Sequence, residues 1–254
     1  MNKSPTPQTT AALALASLDL TSLNDGDTPA DIEALCKKAV GAANRGHTAA
    51  VCVWPRFAAL ARSLLPADVA VAAVANFPDG GTDTARAVAD TQAIVAAGAQ
   101  EVDVVIPYRD LDAAPALLAA VRAACPGLKL KVILETGELQ DPALIRRACG
   151  IALAAGADFL KTSTGKVKTN ATLEAAELLL QAIAEGGAAT AHVGFKPAGG
   201  IRTVADAGAY IALTQRYLGE VNAQRFRIGA SGVLADIEAV LAGQAGAGAP
   251  ASGY

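Results

Sequence analysis

The sequence predicts an α/β fold: a single-domain (β/α)8 TIM barrel over residues 1–242, followed by a flexible C-terminal tail at 243–254. Three observations predict it. Short β-branched runs alternate with longer alanine- and leucine-rich stretches of helical period, the pattern of a parallel sheet. Eight such units are present, the number that closes a barrel, and the length of 254 residues is typical of one. Polar or charged residues also recur near the C-terminal ends of many strands. In an open doubly wound sheet, the runner-up, binding residues would gather near one switch point.

The elements follow in chain order. The first strand is read at 17–21, Ser-Leu-Asp-Leu-Thr. Thr28-Pro29 then opens a helix over 29–43, since a hydroxyl cap followed by proline is a start signal. A strand at 49–54, Ala-Ala-Val-Cys-Val-Trp, precedes a helix at 56–65. A strand at 69–75 leads to a helix at 83–97, ended by Gly98. The strand at 101–106, Glu-Val-Asp-Val-Val-Ile, precedes a helix at 112–124. After a strand at 129–135, a helix at 142–155 lies between Asp141-Pro142 and Gly156. A strand at 157–162 is followed by a helix at 172–186, which Gly186-Gly187 terminates. A strand at 192–196 precedes a helix at 203–218, capped by Thr203 with Asp206 three residues on. A strand at 226–230 and a helix at 231–242 complete the set. The segments 97–103 and 155–161 repeat an Ala-Gly-Ala joint between helix and strand. The tail at 243–254 is rich in glycine and alanine.

Composition excludes several function classes. The net charge of −3 and a pI of about 5.4 do not describe a surface for nucleic acid or anionic membrane. The mean hydropathy of +0.34 is high. It comes from alanine, about a quarter of the chain, and no run of about eighteen apolar residues exists to span a bilayer. Residues 1–10 are polar, with Pro5 and Pro7, and lack the charged-then-apolar order of a signal peptide. Cys36, Cys52, Cys125 and Cys149 lie far apart, with no Cys-x-x-Cys. That spacing argues against a disulfide scaffold or zinc ribbon and for a cytoplasmic setting.

Charged residues stand where a core is expected. Parallel strands are covered on both faces and read as apolar runs. Yet Asp19, Asp103, Lys131, Lys161 and Lys196 each sit within or at the end of such a run. Burying a charge is costly unless it is paired. If parity turns all five toward the barrel axis, they form one polar cluster near the C-terminal mouth, where active sites of this fold lie. A buried structural ion network is the competing reading. Two lysines on neighbouring strands, Lys161 and Lys196, favour chemistry. Ammonium groups held together disfavour each other's charge, and a neutral amine attacks a carbonyl to form a Schiff base. A carboxylate such as Asp103 can then move protons.

The loops after the last three strands suit a phosphate. They read Lys161-Thr162-Ser163-Thr164-Gly165-Lys166, Lys196-Pro197-Ala198-Gly199-Gly200-Ile201-Arg202 and Ile228-Gly229-Ala230-Ser231-Gly232. Barrels often build phosphate sites from these loops and a helix N-terminus. Glycines let backbone N–H groups approach oxygens, and Ser231 and Lys166 add donors. Thr164-Gly165-Lys166 lacks the spacing of a P-loop. His47 and His192 have no third ligand at metal spacing, so no metal is expected. Asp79 and Asp83 around Gly80-Gly81 read as a capped turn, and Cys52 as a small core residue. Trp54 and Tyr108 either line the mouth or pack. Glu135 and Glu138 are considered as an acid pair, and the nearby lysines weigh against it.

The segment 161–166 makes a specific match: the sequence resembles the deoxyribose-phosphate aldolase family of class I Schiff-base aldolases. The similarity runs from Leu18-Asp19-Leu20-Thr21 to Tyr254. It includes Cys52-Val53-Trp54-Pro55-Arg56-Phe57, Asn76-Phe77-Pro78, the segment 101–105, Lys131 through Leu139 and Val193 through Gly200. The resemblance implies reversible cleavage of 2-deoxy-D-ribose 5-phosphate to D-glyceraldehyde 3-phosphate and acetaldehyde, with no cofactor. It implies that Lys161 forms the imine, that Lys196 tunes it and that Asp103 transfers protons. Lys131 and Asp19 complete the polar core. Gly165, Lys166, Gly199, Gly200, Gly229 and Ser231 fall on the phosphate segments. Cys52 matches a cysteine near the active centre, and Tyr254 a C-terminal tyrosine linked to proton transfer. One departure is Gly232, where close relatives carry a second serine. The expected partners are a small phosphosugar and acetaldehyde, with a homodimer left open. The alternatives are another imine-forming phosphosugar aldolase and a non-catalytic phosphosugar-binding barrel.

Overall fold

The structure, a computed structural model, describes residues 6–41 and 46–246. Helix α1 (Pro7–Ala16) precedes β1 (Leu18–Thr21), α2 (Pro29–Val40), β2 (Ala50–Val53), α3 (Pro55–Leu64), β3 (Ala70–Ala75) and α4 (Thr84–Ala96). Then come β4 (Glu101–Val105), α5 (Ala114–Ala124), β5 (Lys129–Ile133), the one-turn α6 (Thr136–Leu139), α7 (Pro142–Ala154), β6 (Phe159–Lys161) and α8 (Leu173–Glu185). The chain ends with β7 (Gly194–Lys196), α9 (Val204–Leu218), β8 (Ile228–Ala230) and α10 (Leu234–Leu241).

The expected caps are present. Thr28 and Asp31 form a capping box on α2, as do Thr203 and Asp206 on α9, while Asp141 accepts from Ala143 N on α7. Gly98 and Gly156 follow their helices with φ of 76° and 75°, left-handed conformations that favour glycine.

The eight strands form one parallel sheet in the order β7-β6-β5-β4-β3-β2-β1-β8. Its two ends meet through the bridges Phe195↔Phe226 and Ala198↔Gly229, so the sheet closes into the expected barrel. Ladder bonds between β7 and β8 run from Arg227 N to Phe195 O (3.1 Å) and from Gly229 N to Pro197 O (2.9 Å).

Alternation along each strand separates two layers. Val51, Val71, Val102, Val132, Leu160 and Ile228 belong to the buried apolar layer beneath the helices. Register pairs Lys161 with Lys196 and Asp103 with Lys131, and places Gly229 beside Asp19. Small residues make room for these long side chains. A Cβ at Gly229 would lie 2.9 Å from Ala198 Cβ and 3.1 Å from Lys196 Cε; Gly194 instead makes room for an aromatic ring, since a Cβ there would lie 2.3 Å from Phe159 Cε1.

Three differences from the sequence reading stand out. Helix α1 is absent from the sequence reading, which has residues 1–10 as a polar N-terminus; Thr6 caps it, accepting from Thr9 N, with Pro7 in its first turn, and it packs on α9 and α10. The strand expected to reach 135 stops at Ile133, because Glu135 turns to φ 55° and opens α6. Helix α10 starts at Leu234, which leaves Ser231 and Gly232 in the preceding turn. The boundary drawn after residue 242 falls one residue past the end of α10, at Leu241. Residues 243–246 form no helix or strand, and 247–254, with Tyr254, lie outside the described residues. Among the described residues, no helix is long and apolar enough to cross a membrane.

Candidate active site

The five charged residues read from the sequence meet inside the barrel, and all are buried. Asp103, on β4, is the hub. Its Oδ1 accepts from Lys131 Nζ at 2.8 Å, and its Oδ2 accepts from both Lys161 Nζ and Lys196 Nζ at 2.7 Å. Lys196 also donates to Asp19 Oδ2, and Lys131 lies 3.3 Å from the same oxygen. Cys52 Sγ, on β2, is 4.0 Å from Asp103 Oδ2 and fully buried.

Two further charges complete the cluster, and sequence reasoning missed both. Arg227 donates to Asp19 Oδ1 at 2.6 Å and to Glu101 at 2.7 and 3.1 Å. Glu101 Oε2 is also 2.6 Å from Lys131 Nζ. The signal was available. Glu101 lies two residues before Asp103 on one strand, and Arg227 two residues before Gly229, so each shares its neighbour's face.

The cluster therefore holds four basic groups (Lys131, Lys161, Lys196, Arg227) against three carboxylates (Asp19, Glu101, Asp103). A surplus buried cation is costly, so one base is best left neutral. Geometry selects Lys161. It contacts one carboxylate, whereas Lys196 contacts two and Lys131 three.

Electrostatics agree. Burial pushes the Lys161 amine down, Asp103 pulls it up and Lys196 pushes it down again, leaving it below the ordinary lysine range. Burial also opposes charge on Lys196, but Asp103 and Asp19 outweigh it and hold that ammonium above the ordinary range. Burial raises Asp103, and the three lysines reverse this, keeping it well below the usual carboxylate range. Burial, followed by the Asp103 charge, raises the Cys52 thiol.

Lys161 is 3% exposed and borders a cavity of about 590 Å3 at the C-terminal mouth; Lys131 and Lys196 are fully buried beneath it. The cavity is lined by all six residues expected at a phosphate: Gly165, Lys166, Gly199, Gly200, Gly229 and Ser231. Gly165, Gly199 and Gly200 have φ of 84°, 80° and 84°, which turn the backbone as side-chain-bearing residues rarely do. Lys166 Nζ reaches across the opening to Leu23 O, at 2.7 Å. Gly232 also lines the cavity, and a Cβ there would meet nothing within 4 Å.

The loop after Lys161 is held from behind. Ser163 Oγ donates to Ala198 O at 2.6 Å, and Ala198 N donates to Thr162 Oγ1 at 3.0 Å. Thr164 Oγ1 donates to Glu135 Oε2 at 2.6 Å. Glu135 is thus a buried anchor for the loop, while Glu138 is exposed on α6. Trp54 packs edge-on against Phe77 and donates to Asn24 O; neither Trp54 nor Tyr108 lines the cavity.

Such an arrangement offers an amine at the cavity's edge whose charge is disfavoured, a second amine 2.7 Å from the same carboxylate oxygen whose charge is favoured, and a pocket with several glycines for an anionic group. Comparisons with known proteins agree with it. The model of the DeoC/LacD family aldolases matches residues 13–235. A deoxyribose-phosphate aldolase of Agrobacterium fabrum is 52% identical over 258 residues, covering 98% of this chain and 97% of that protein. The crystal structure of a proposed deoxyribose-phosphate aldolase from Toxoplasma gondii ME49 superposes with a TM-score of 0.84 at 25% identity, over 95% of this chain and 97% of that one. The tetrameric deoxyribose phosphate aldolase of Aeropyrum pernix gives a TM-score of 0.71 at 25% identity, over 92% of this chain and 93% of that one.

Proposed function

This chain belongs to the DeoC/LacD family of aldolases, and from that premise we propose that it reversibly cleaves 2-deoxy-D-ribose 5-phosphate to D-glyceraldehyde 3-phosphate and acetaldehyde. The carrying observation is Lys161: the one lysine of the buried cluster that borders the cavity, and the one whose amine is held below its ordinary range.

The neutral Lys161 Nζ attacks C1 of the open-chain aldehyde, and loss of water gives an iminium. The iminium accepts the electron pair of the C2–C3 bond as it breaks. The C3 hydroxyl gives up its proton as glyceraldehyde 3-phosphate leaves. The remaining enamine is protonated at C2, and hydrolysis frees acetaldehyde and Lys161. Lys196, charged and 2.7 Å from Asp103, supplies and recovers protons; Asp103 bridges the two lysines. Lys131 and Asp19 keep that bridge in place. Gly165, Lys166, Gly199, Gly200, Gly229 and Ser231 hold the phosphate. Gly229 has a second duty, since its missing side chain also makes room for Lys196.

The four cysteines are unpaired and buried, as suits a reduced cytoplasmic enzyme. Borohydride reduction in the presence of acetaldehyde, followed by peptide mapping, tests the chemistry. Label on Lys161, with cleavage of deoxyribose 5-phosphate in the presence of chelator, supports the reading. Absence of both overturns it and favours the non-catalytic binder.

A further inference from the structure

Arg227 and Glu101 are charged, almost fully buried and remote from the cavity. They cannot touch a substrate, and the reaction above does not use them. Their contacts nevertheless run straight to the groups that do the chemistry. Arg227 takes Asp19 Oδ1, which leaves Oδ2 to Lys196. Glu101 takes both Arg227 and Lys131, and Lys131 in turn takes the second oxygen of Asp103. Each carboxylate oxygen of Asp19 and Asp103 that faces away from Lys161 is thereby occupied.

We propose that Arg227 and Glu101 are positioning residues for the imine-forming lysine: by fixing Asp19 and Lys131 from below, and through the charge each adds, they set which amine of the cluster is neutral. The proposal rests on the aldolase reading of Lys161. It follows from the count of charges. With four bases and three carboxylates, a full set of charges leaves one cation in excess, which favours the neutral form of the least-paired amine, Lys161. Without Arg227 the numbers balance, and Lys161 gains nothing by staying neutral. Without Glu101 the surplus grows, and the amines give up protons more readily. The groups that face Lys161 are Asp103, Lys196, Cys52 and, at longer range, Glu135. Those facing Arg227 are Asp19, Glu101 and Lys131; those facing Lys131 are Asp19, Glu101, Asp103, Arg227 and Lys196.

The test is the pH dependence of borohydride trapping by acetaldehyde in the whole chain, read as the acid limb where Lys161 becomes protonated. Arg227→Met raises the Lys161 pKa and moves that limb up by about one pH unit; Glu101→Gln moves it down by a similar amount. The double variant restores the surplus of one cation and returns the limb toward its starting place. A residue that merely packs gives neither opposite shifts nor rescue. Limbs that stay put in the single variants, or a double variant no nearer the parent than either single one, overturn the proposal. If Arg227→Met does not fold, the double variant against Glu101→Gln carries the same comparison. Loss of trapping in the unmodified chain at every pH refutes the aldolase reading instead, so the two failures are distinguishable.

Discussion

The barrel interior and the barrel mouth solve opposite problems. Inside, long charged side chains on rigid strands are paired with one another and shut away from water: Lys131, Lys196, Asp19 and Asp103 have no exposed surface. At the mouth, glycines on loops share the lining with polar and charged side chains such as Lys38 and Arg202, and Lys166 and Ser231 are the side-chain donors among the expected phosphate residues. Interior charges sit in low dielectric, so each one alters the protonation of its neighbours. The mouth is solvated, and its groups act on whatever occupies it. Changes inside therefore alter kcat and the pH profile, and changes at the mouth alter KM for a phosphorylated substrate.

The largest effect is expected at Lys161, where the two regions meet. Lys161→Ala abolishes borohydride trapping and turnover while circular dichroism stays native, since the amine itself forms the bond. Trapping at the parent level in that variant would place the imine on another residue.

Next is Lys196→Leu. It removes a like charge beside Lys161 and frees the carboxylates of Asp19 and Asp103 to stabilise the Lys161 ammonium instead, so the Lys161 pKa rises. A raised pKa means a larger protonated, inactive fraction at neutral pH. Activity drops by about 10²–10⁴-fold, and its optimum moves to higher pH. An unchanged profile would break the interior half of the comparison. Asp103→Asn acts in the same region: kcat falls far more than KM changes, and a pure KM effect would contradict the bridging role.

A smaller change is expected at the mouth. Lys166→Ala raises KM for deoxyribose 5-phosphate by about tenfold, the size of a charge-assisted hydrogen bond, and barely affects unphosphorylated deoxyribose. Equal effects on the two sugars would put the phosphate elsewhere.

The smallest, and the sharpest, is Gly232→Ser. Nothing lies within 4 Å of a Cβ at this position, so a serine fits. One added hydroxyl donor is worth about 0.5–1.5 kcal/mol, a several-fold gain in preference for the phosphorylated sugar with no change on the neutral one. A gain on both sugars would mean that the residue acts on the chemistry and not on the phosphate.

The sequence by itself determined the barrel, because alternating strand and helix periods, hydroxyl or carboxylate caps and post-helix glycines are local signals. Thr28, Asp141, Thr203, Gly98 and Gly156 each do locally what their types dictate. It also exposed Asp19, Asp103, Lys131, Lys161 and Lys196, since a charge inside an apolar strand has a desolvation cost that demands a partner. Helix α1 carried the same Thr-Pro start signal as α2 but sat in a segment whose polar beginning hid it. Glu101 and Arg227 share a strand face with Asp103 and Gly229, but they stand at strand starts, where a charge ordinarily reaches solvent, so the pattern showed their face and not their burial. Only the tertiary structure decided their fate. Closing eight strands into a ring carries residues 126 positions apart into one desolvated volume, where Arg227 and Glu101 find each other. The same closure ranks the three lysines. Their types and strand positions look alike in the sequence, whereas the number of carboxylates around each, and the opening above Lys161, exist only once the ring is shut.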